Sequence, residues 1–265
     1  MTTIPALVPP TPKQNVWKRE LRPWAAFGWL AAGWRDMMTD PLQSLAYGVL
    51  VFVISIMVVA GLIMFGWDFI LFPAFAGFMI VGPLLAIGLY EKSRKLATGK
   101  RSSLAQMVFV RPKSGGQILF TGVLLSLLML LWMRAAVIVY ALFFGLQPFP
   151  GLDHIANMLF TTPVGLVMLL VGSLTGGLFA AFSFAISAFS IPMQLNERVD
   201  ALTAMGSSVA LVWNNLPVML VWGAITLVLF LLSLATGMLG LIVVFPVIGH
   251  GTWHAYQAIR SPNAA

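Results

Sequence analysis

Arg134 is a charged residue near the middle of a long apolar stretch, directly after Trp132 and Met133. A charge at the centre of a membrane helix costs roughly 2.5–3.5 kcal/mol on insertion scales, so such a residue normally faces the protein interior or water. One interpretation is an anion-binding or gating position. The other is structural, with the guanidinium reaching Asp153, Asp68 or helix-end carbonyls at the nearer membrane surface.

His250 and His254 lie four residues apart, which places both imidazoles on one face of a helix. That spacing suits two ligands of one metal ion, or one axial ligand of a haem. Further ligands such as Glu91 and Glu197 could join only through tertiary contact, and His154 belongs to another connection. A hydrogen-bonded pair at the end of the helix is the alternative interpretation.

The fourth apolar stretch is rich in small and hydroxyl-bearing residues. Those that could line a solute pathway are Ser173, Thr175, Ser183 and Ser187. Small residues at four-residue intervals also let membrane helices approach closely, so helix packing explains the same pattern.

Signatures of catalysis are missing from the sequence. It contains no P-loop, no Gly-x-Ser-x-Gly, no His-Glu-x-x-His and no dinucleotide-binding glycine pattern. Cysteine is absent, and only eight residues are acidic. We therefore expect a protein that is not an enzyme and that binds no cofactor, with a haem or metal ion as the alternative.

The elements that must position these residues are membrane helices. The composition is 60% hydrophobic and 9% charged, whereas a soluble domain has about 25% charged residues. A membrane crossing needs roughly 20 helical residues. The sequence predicts an all-α polytopic bundle with six such helices, at Leu42–Phe65, Phe69–Tyr90, Ile118–Gly145, Pro163–Ile191, Leu216–Ala235 and Met238–Tyr256.

The basic residues predict the orientation of this bundle. Every Lys and Arg except Arg134 lies before the first stretch, between the second and third, after the fourth or after the sixth. Basic connections stay in the cytoplasm, so both termini are predicted to be cytoplasmic. The net charge of +7 then indicates anionic lipid headgroups rather than nucleic acid as partners. Residues expected at this membrane surface are Trp24, Trp29, Trp34, Lys92, Arg94, Lys95, Lys100 and Arg101.

The chain also divides into three similar units, at about 23–95, 101–197 and 198–260, after a proline-containing flexible tail at 1–15. Residues 16–260 are predicted to form one transmembrane domain. Each unit contains an amphipathic helix at the cytoplasmic membrane surface and then two membrane helices. The apolar faces of the three amphipathic helices are predicted to carry Trp24, Phe27, Ala31, Trp34 and Met38; Leu104, Met107 and Val108; and Val199, Leu202, Met205, Val209 and Trp213.

Local signals mark several helix starts. Asp40-Pro41 and Thr162-Pro163 each place a capping residue before a proline in the first turn. Ser103 and Gln106 have capping-box spacing.

Several short stretches resemble one uncharacterised bacterial family of integral membrane proteins, the domain of unknown function 2189 class. They include Gly33-Trp34-Arg35-Asp36, Ser44-Leu45-Ala46-Tyr47-Gly48, Gly88-Leu89-Tyr90-Glu91, Ile191-Pro192-Met193 and the ending from Gly249 to Tyr256. The resemblance extends from about Trp29 to Ile259. It implies a multi-pass protein of the bacterial inner membrane. Some members carry a cytochrome c oxidase label, which would require several intramembrane histidines.

The function predicted from these features is an accessory, assembly or scaffold component of membrane complexes, for which respiratory complexes are one candidate. Its partners would be the lipid bilayer and either other membrane proteins or further copies of this chain. A small channel or facilitator using Arg134 and the hydroxyls of the fourth stretch is the alternative. A haem- or metal-binding redox protein using His250 and His254 is the second alternative.

Overall fold

The computed structural model describes residues 15–145 and 151–260. Every regular element within these ranges is a helix, which confirms the all-α class. Of the predicted tail, only Asn15 is described, and its side-chain amide donates to Oδ1 of Asn214 at 2.7 Å.

The helices follow one another with short connections. They are α1 (Ala25–Met38), α2 (Pro41–Met64), α3 (Leu71–Leu85), α4 (Ile87–Leu96), α5 (Leu104–Val108), α6 (Gly115–Phe144), α7 (Leu152–Thr161), α8 (Pro163–Ser187), α9 (Ser190–Asn196), α10 (Ala201–Asn214), α11 (Leu216–Ala235) and α12 (Leu241–Arg260), with a 3₁₀ turn at Asp68–Ile70. Helix α7 lies in a connection for which the sequence predicted no helix.

Five helical segments in the described part of the chain are long and apolar enough to cross a membrane. They are Pro41–Met64, Asp68–Leu96, Gly115–Phe144, Pro163–Asn196 and Leu216–Ala235. The second contains the 3₁₀ turn, α3 and α4, and the fourth contains α8 and α9. The chain is therefore a multi-pass helical membrane protein.

Helix α12 is not among these five segments. Its second half carries His250, His254 and Arg260, which lower its mean hydropathy. It is instead the most enclosed long helix of the bundle, because α1, α2, α4 and α11 all pack against it. The predicted sixth crossing therefore stays a prediction.

Two glycines allow this close packing around α12. A Cβ on Gly33 of α1 would overlap the backbone of Val247 and Gly251, and a Cβ on Gly48 of α2 would overlap the carbonyl of Ile242. Only a residue without a side chain lets these backbones approach so closely.

The short helices α1, α5 and α10 each precede a pair of long segments. Helix α1 packs on α12, α5 on α4, and α10 on α8 and α9. The predicted apolar face of α1 points away from the bundle, because Trp24, Phe27 and Trp34 are exposed while Ala26 and Met37 on the opposite side are buried. The three-unit repeat stays a prediction.

All three predicted helix starts are found, but one of them lacks the expected side-chain cap. Thr162 accepts a hydrogen bond from the backbone N–H of Gly165 at 3.0 Å, and Ser103 and Gln106 form a capping box. The side chain of Asp40 does not cap α2. Asp40 adopts a left-handed conformation with φ of 60°, and its carbonyl oxygen accepts a hydrogen bond from Lys92 instead.

Candidate functional site

The most chemically unusual feature of the bundle is a chain of six polar side chains that crosses α12. Helix α1 contributes Asp36, α2 contributes Ser44, α4 contributes Lys92 and Ser93, and α12 contributes His250 and His254. We call these six residues the polar joint. Ser44, Lys92 and His250 are completely buried. A buried cation and imidazole are rare in proteins unless they are paired, so the contacts within the joint decide its chemistry.

Lys92 stands at one end of the joint. Its Nζ donates to Ser44 Oγ at 2.7 Å and to the carbonyl oxygen of Asp40 at 2.9 Å. Ser44 Oγ lies 2.9 Å from His250 Nε2. Since an ammonium group has only donors, Ser44 accepts from Lys92, which leaves its own hydroxyl proton available for His250.

Asp36 stands at the other end. Its Oδ2 accepts a hydrogen bond from Ser93 Oγ at 2.5 Å and lies 2.9 Å from His254 Nε2. Ser93 Oγ also lies 2.8 Å from His250 Nδ1. Because the hydroxyl proton of Ser93 goes to the carboxylate, its oxygen accepts from His250.

These contacts assign one direction to the whole network. Hydrogen bonds run from the ammonium of Lys92 through Ser44 to His250, and from His250 through Ser93 to the carboxylate of Asp36. The assignment makes His250 a neutral imidazole with its proton on Nδ1. A cation and an anion are thus joined through three neutral groups, each with its donors and acceptors matched, which is the condition under which buried polar networks stabilise a protein.

The ionisation of Asp36 fits this arrangement. Burial by itself raises the pKa of the carboxyl group, but hydrogen bonds from His254 and Ser93 outweigh it and leave the pKa below its ordinary value. Asp36 is therefore a carboxylate at neutral pH, as the direction of the network requires.

A second polar contact joins the ends of α9 and α12. Glu197 accepts hydrogen bonds from the Tyr256 hydroxyl at 2.6 Å and from Nη2 of Arg260 at 2.9 Å. Burial raises the pKa of Glu197, but these two partners outweigh it and hold that pKa below its usual value. The backbone carbonyl of the same residue accepts a hydrogen bond from Ser114.

The joint leaves His250 without a free ring nitrogen for a metal ion or a haem. Both nitrogens are within hydrogen-bonding distance of serine hydroxyls. Across residues 15–145 and 151–260, no group of three or more His, Cys, Asp and Glu side chains is placed to hold a metal ion. The structure thus brings His250 and His254 together with Asp36, in an arrangement that favours the hydrogen-bonded interpretation.

An apolar cavity lies beside the polar joint, between α3, α8, α11 and α12. We call it the lateral cavity; its interior space is about 100 Å³. Its lining includes Phe78, Phe184, Trp222, Phe230, Phe245 and Ile248. Around the cavity, α3 packs closely on α8 and α11 packs closely on α12, whereas the backbones of α8 and α11, and those of α3 and α12, stay further apart. A Cβ added at Gly223 of α11 would lie 3.9 Å from the ring of Phe184 on α8, so this ring reaches across the space between the two helices.

A second apolar cavity of about 220 Å³ lies between α2, α3 and the turn that joins α11 to α12. The two cavities share Phe78, Phe230 and Leu241 in their walls. The rings of Phe78 and Phe230 stack with centroids 5.4 Å apart and planes 5° from parallel. This aromatic pair separates the two spaces.

The four candidate pathway residues of α8 do not form one row. Thr175 donates to the carbonyl of Val171, and Ser183 donates to the carbonyl of Ile80. Ser187 lines the lateral cavity, whereas Ser173 is exposed on the outer face. Only one of the four hydroxyls therefore reaches a cavity.

Arg134 is exposed on the outer face of α6 and lines neither cavity. It does not face the bundle interior, since the inner face of α6 is occupied by residues such as Leu125 and Trp132. The remaining ten residues of α6 beyond Arg134 bring the helix end within reach of a long side chain, so snorkelling stays the simpler prediction.

The predicted membrane-surface residues differ in exposure. Trp24, Trp34 and Arg101 are exposed. Trp29 and Lys92 are buried within the bundle: Trp29 packs edge-on against Trp222 with ring centroids 5.9 Å apart, and Lys92 belongs to the polar joint. Their place at the membrane surface stays a prediction.

The remaining three residues of that group are Arg94, Lys95 and Lys100. Lys100 is exposed, and Arg94 and Lys95 are partly buried. Arg94 and Lys95 both pair with Glu91, at 2.8 and 3.5 Å.

Sequence reasoning missed Asp36, Ser44 and Ser93 as members of a site. A weak signal was present, since Asp36 and Ser44 stand in the short stretches that resemble a known family. The spacing between them carries no chemistry by itself, because their partners lie on helices about 50 and 200 residues further along the chain.

The fold and its apolar helices define a polytopic helical membrane protein. Residues 71–196, from α3 to α9, match the family described as predicted integral membrane protein, DUF2189. The resemblance drawn from the sequence is thereby confirmed over that stretch. No curated protein and no solved structure matches the chain.

Proposed function

We propose that this chain is a non-catalytic component of membrane assemblies that docks to other membrane proteins through α8. The observation that carries the proposal is the outer face of this helix. Ser173, Gly177 and Ala181 follow one another at four-residue intervals, and all three are exposed. Only 6% of the most apolar part of the α8–α9 segment is buried in the protein, the smallest share among the five membrane segments.

The shape of this face supports close helix packing. Leu170, Leu174 and Leu178 form an exposed ridge beside the row of small residues. A Cβ added at Gly177 would meet nothing within 4 Å, so the groove is open to a neighbouring helix. Small residues at this spacing let two backbones approach and make van der Waals contact, which is the main source of helix association in lipid.

We also propose how the protein lies in the membrane. The six predicted crossings, α12 included, would place both termini and the basic connections in the cytoplasm of a bacterial cell, with anionic lipid headgroups beside them. Helix α5 packs on the first unit and α10 on the second, while α1 packs on α12 of the third unit. This arrangement supports a pseudo-threefold repeat, in which each short helix packs on a neighbouring unit. A reporter fused after Ala265 tests the orientation, because a periplasmic signal would contradict it.

The alternatives receive less support. A channel for ions or polar solutes would need a polar path, whereas both cavities are apolar and Arg134 lies outside them. A redox cofactor on His250 would first have to displace Ser44 or Ser93. We therefore propose a protein that acts without cofactor, by binding partners.

The docking proposal is tested by Gly177→Leu, which fills the groove on α8 without touching the rest of the chain. Gly61→Leu on α2 is the matched control, since a Cβ at Gly61 also meets nothing within 4 Å. After extraction in mild detergent, native mass spectrometry should find a membrane-protein partner or a second copy on the wild type and on Gly61→Leu, and should lose it on Gly177→Leu. A solitary monomer in every preparation, or unchanged association of Gly177→Leu, contradicts the proposal.

A further inference from the structure

We propose that the lateral cavity binds an uncharged, lipid-soluble molecule whose carbonyl group accepts hydrogen bonds from Ser187 and Tyr90. This inference is independent of the docking proposal, since it concerns the inner side of α8 rather than its outer face. Three observations carry it: a buried hydroxyl without a partner among the described residues, the absence of charge in the lining, and the size of the cavity.

The first observation concerns Ser187 and Tyr90, which both line the cavity. Ser187 is completely buried, and no hydrogen-bond partner of its Oγ is found among the described residues. Tyr90 is 2% exposed and is a second hydroxyl-bearing residue of the lining. Other hydroxyls of the same wall differ, because Thr226 and Thr252 donate to carbonyls of their own helices. A buried hydroxyl without a partner is costly, so Ser187 is prepared for an acceptor that comes from outside the chain, with Tyr90 as a second donor.

The second observation concerns the charge of that acceptor. None of the residues that line the cavity is charged, and the walls are dominated by aromatic and aliphatic side chains. An ionised headgroup would be stranded without a counter-charge there. A neutral carbonyl oxygen has two lone pairs and can accept from both hydroxyls at once.

The third observation concerns the size of the site. The interior space of about 100 Å³ is too small for a whole lipid. The carbonyl end of the occupant therefore lies inside the cavity, and its apolar chain extends beyond it.

The probe for this site is methyl palmitate with a diazirine on its chain, added to the protein in vesicles of phosphatidylethanolamine and phosphatidylglycerol. After irradiation, labelled peptides should come from α8 and α11 around Phe184 and Trp222, which both line the cavity. Labelling spread evenly over the outer faces of α2 and α6 would mean contact with bulk lipid only and would overturn the proposal.

Three variants separate specific binding from loss of the fold. Ser187→Ala removes one donor and should weaken saturable labelling about tenfold, the factor that corresponds to one hydrogen bond in an apolar site. Gly82→Leu should abolish labelling, because Gly82 lines the cavity and its Cβ would enter open space. Gly61 lines neither cavity, so Gly61→Leu should be labelled by the probe to the same extent as the wild type. Equal labelling of Gly82→Leu and Gly61→Leu contradicts the proposal.

Competition then identifies the source of the carbonyl. Unlabelled methyl palmitate offers an ester carbonyl and decylbenzoquinone offers ring carbonyls, whereas hexadecane has none. Displacement of the probe by either carbonyl compound, but not by hexadecane, supports the proposal and shows which class the site prefers. If hexadecane or additional phosphatidylglycerol competes as well as they do, the role of Ser187 and Tyr90 is refuted.

Discussion

The two sides of α12 differ in how they meet their neighbours. On one side α1, α2 and α4 approach so closely that glycines are required, and the polar joint connects all of them to α12. On the other side, α8, α11 and α12 enclose an apolar cavity that Ser187 lines with a buried hydroxyl, for which no partner is found among the described residues. One half of the bundle is thus held by matched hydrogen bonds, and the other half is where we propose that a ligand binds.

This difference has a physical origin in the two kinds of contact. Matched hydrogen bonds between buried groups have strict geometry, so they hold helices in one arrangement. Apolar side chains in a cavity have no such requirement, and helices in lipid separate at little cost because lipid chains replace the lost contacts. We therefore expect a lipid-soluble molecule to bind on the side of α12 that faces α8 and α11.

The largest expected effect comes from breaking the close approach on the fixed side. In Gly48→Ala the new Cβ would overlap the carbonyl of Ile242, a backbone atom that cannot move aside alone. We expect a loss of about 3 kcal/mol or more in the free energy of unfolding. The measurement is an SDS titration in mixed micelles followed by circular dichroism.

Gly61→Ala on the same helix is the matched control for that experiment. Its Cβ would meet nothing within 4 Å, and alanine favours a helix over glycine by about 1 kcal/mol, so this variant should be neutral or slightly more stable. Equal losses in the two variants would show that Gly48 is not a contact point.

A smaller loss is expected from the polar joint itself. Lys92→Ala removes the donor to Ser44 and to the carbonyl of Asp40, which leaves buried acceptors without a partner. We expect the free energy of unfolding to fall by about 2 kcal/mol. Lys95→Ala, three residues away, breaks a partly exposed pair with Glu91 and an exposed hydrogen bond to Gln106, and should cost less than about 1 kcal/mol. The account fails if the Lys95 variant is the less stable of the two.

How much of this arrangement can be predicted from sequence depends on the distance between partners. Helix α11 was predicted with its observed bounds, Leu216–Ala235, because a continuous apolar run and a proline in the first turn are local signals. The capping residue Thr162 was predicted for the same reason. The burial of Lys92 was not predicted, because its hydrogen-bond partners Ser44 and Asp40 lie about 50 residues earlier in the chain. A lysine next to other basic residues is instead typical of a membrane surface.

The role of His250 shows the same limit more clearly. Its spacing from His254 is the spacing of metal ligands, and only the positions of Ser44 and Ser93 show that both ring nitrogens are occupied. No pattern in the sequence predicts the lateral cavity, because it lies where distant helices leave space between them.

The central claim is that lipid-soluble molecules reach the lateral cavity but not the polar joint on the other side of α12. The most direct test compares two serines that are both completely buried, Ser44 in the polar joint and Ser187 in the lateral cavity. The chain has no cysteine, so Ser44→Cys and Ser187→Cys each carry a single thiol. In intact membranes, a small lipid-soluble organomercurial should modify Ser187→Cys rapidly and leave Ser44→Cys unmodified, while both should react fully in SDS. Equal rates in the membrane, or faster modification of Ser44→Cys, would contradict the account.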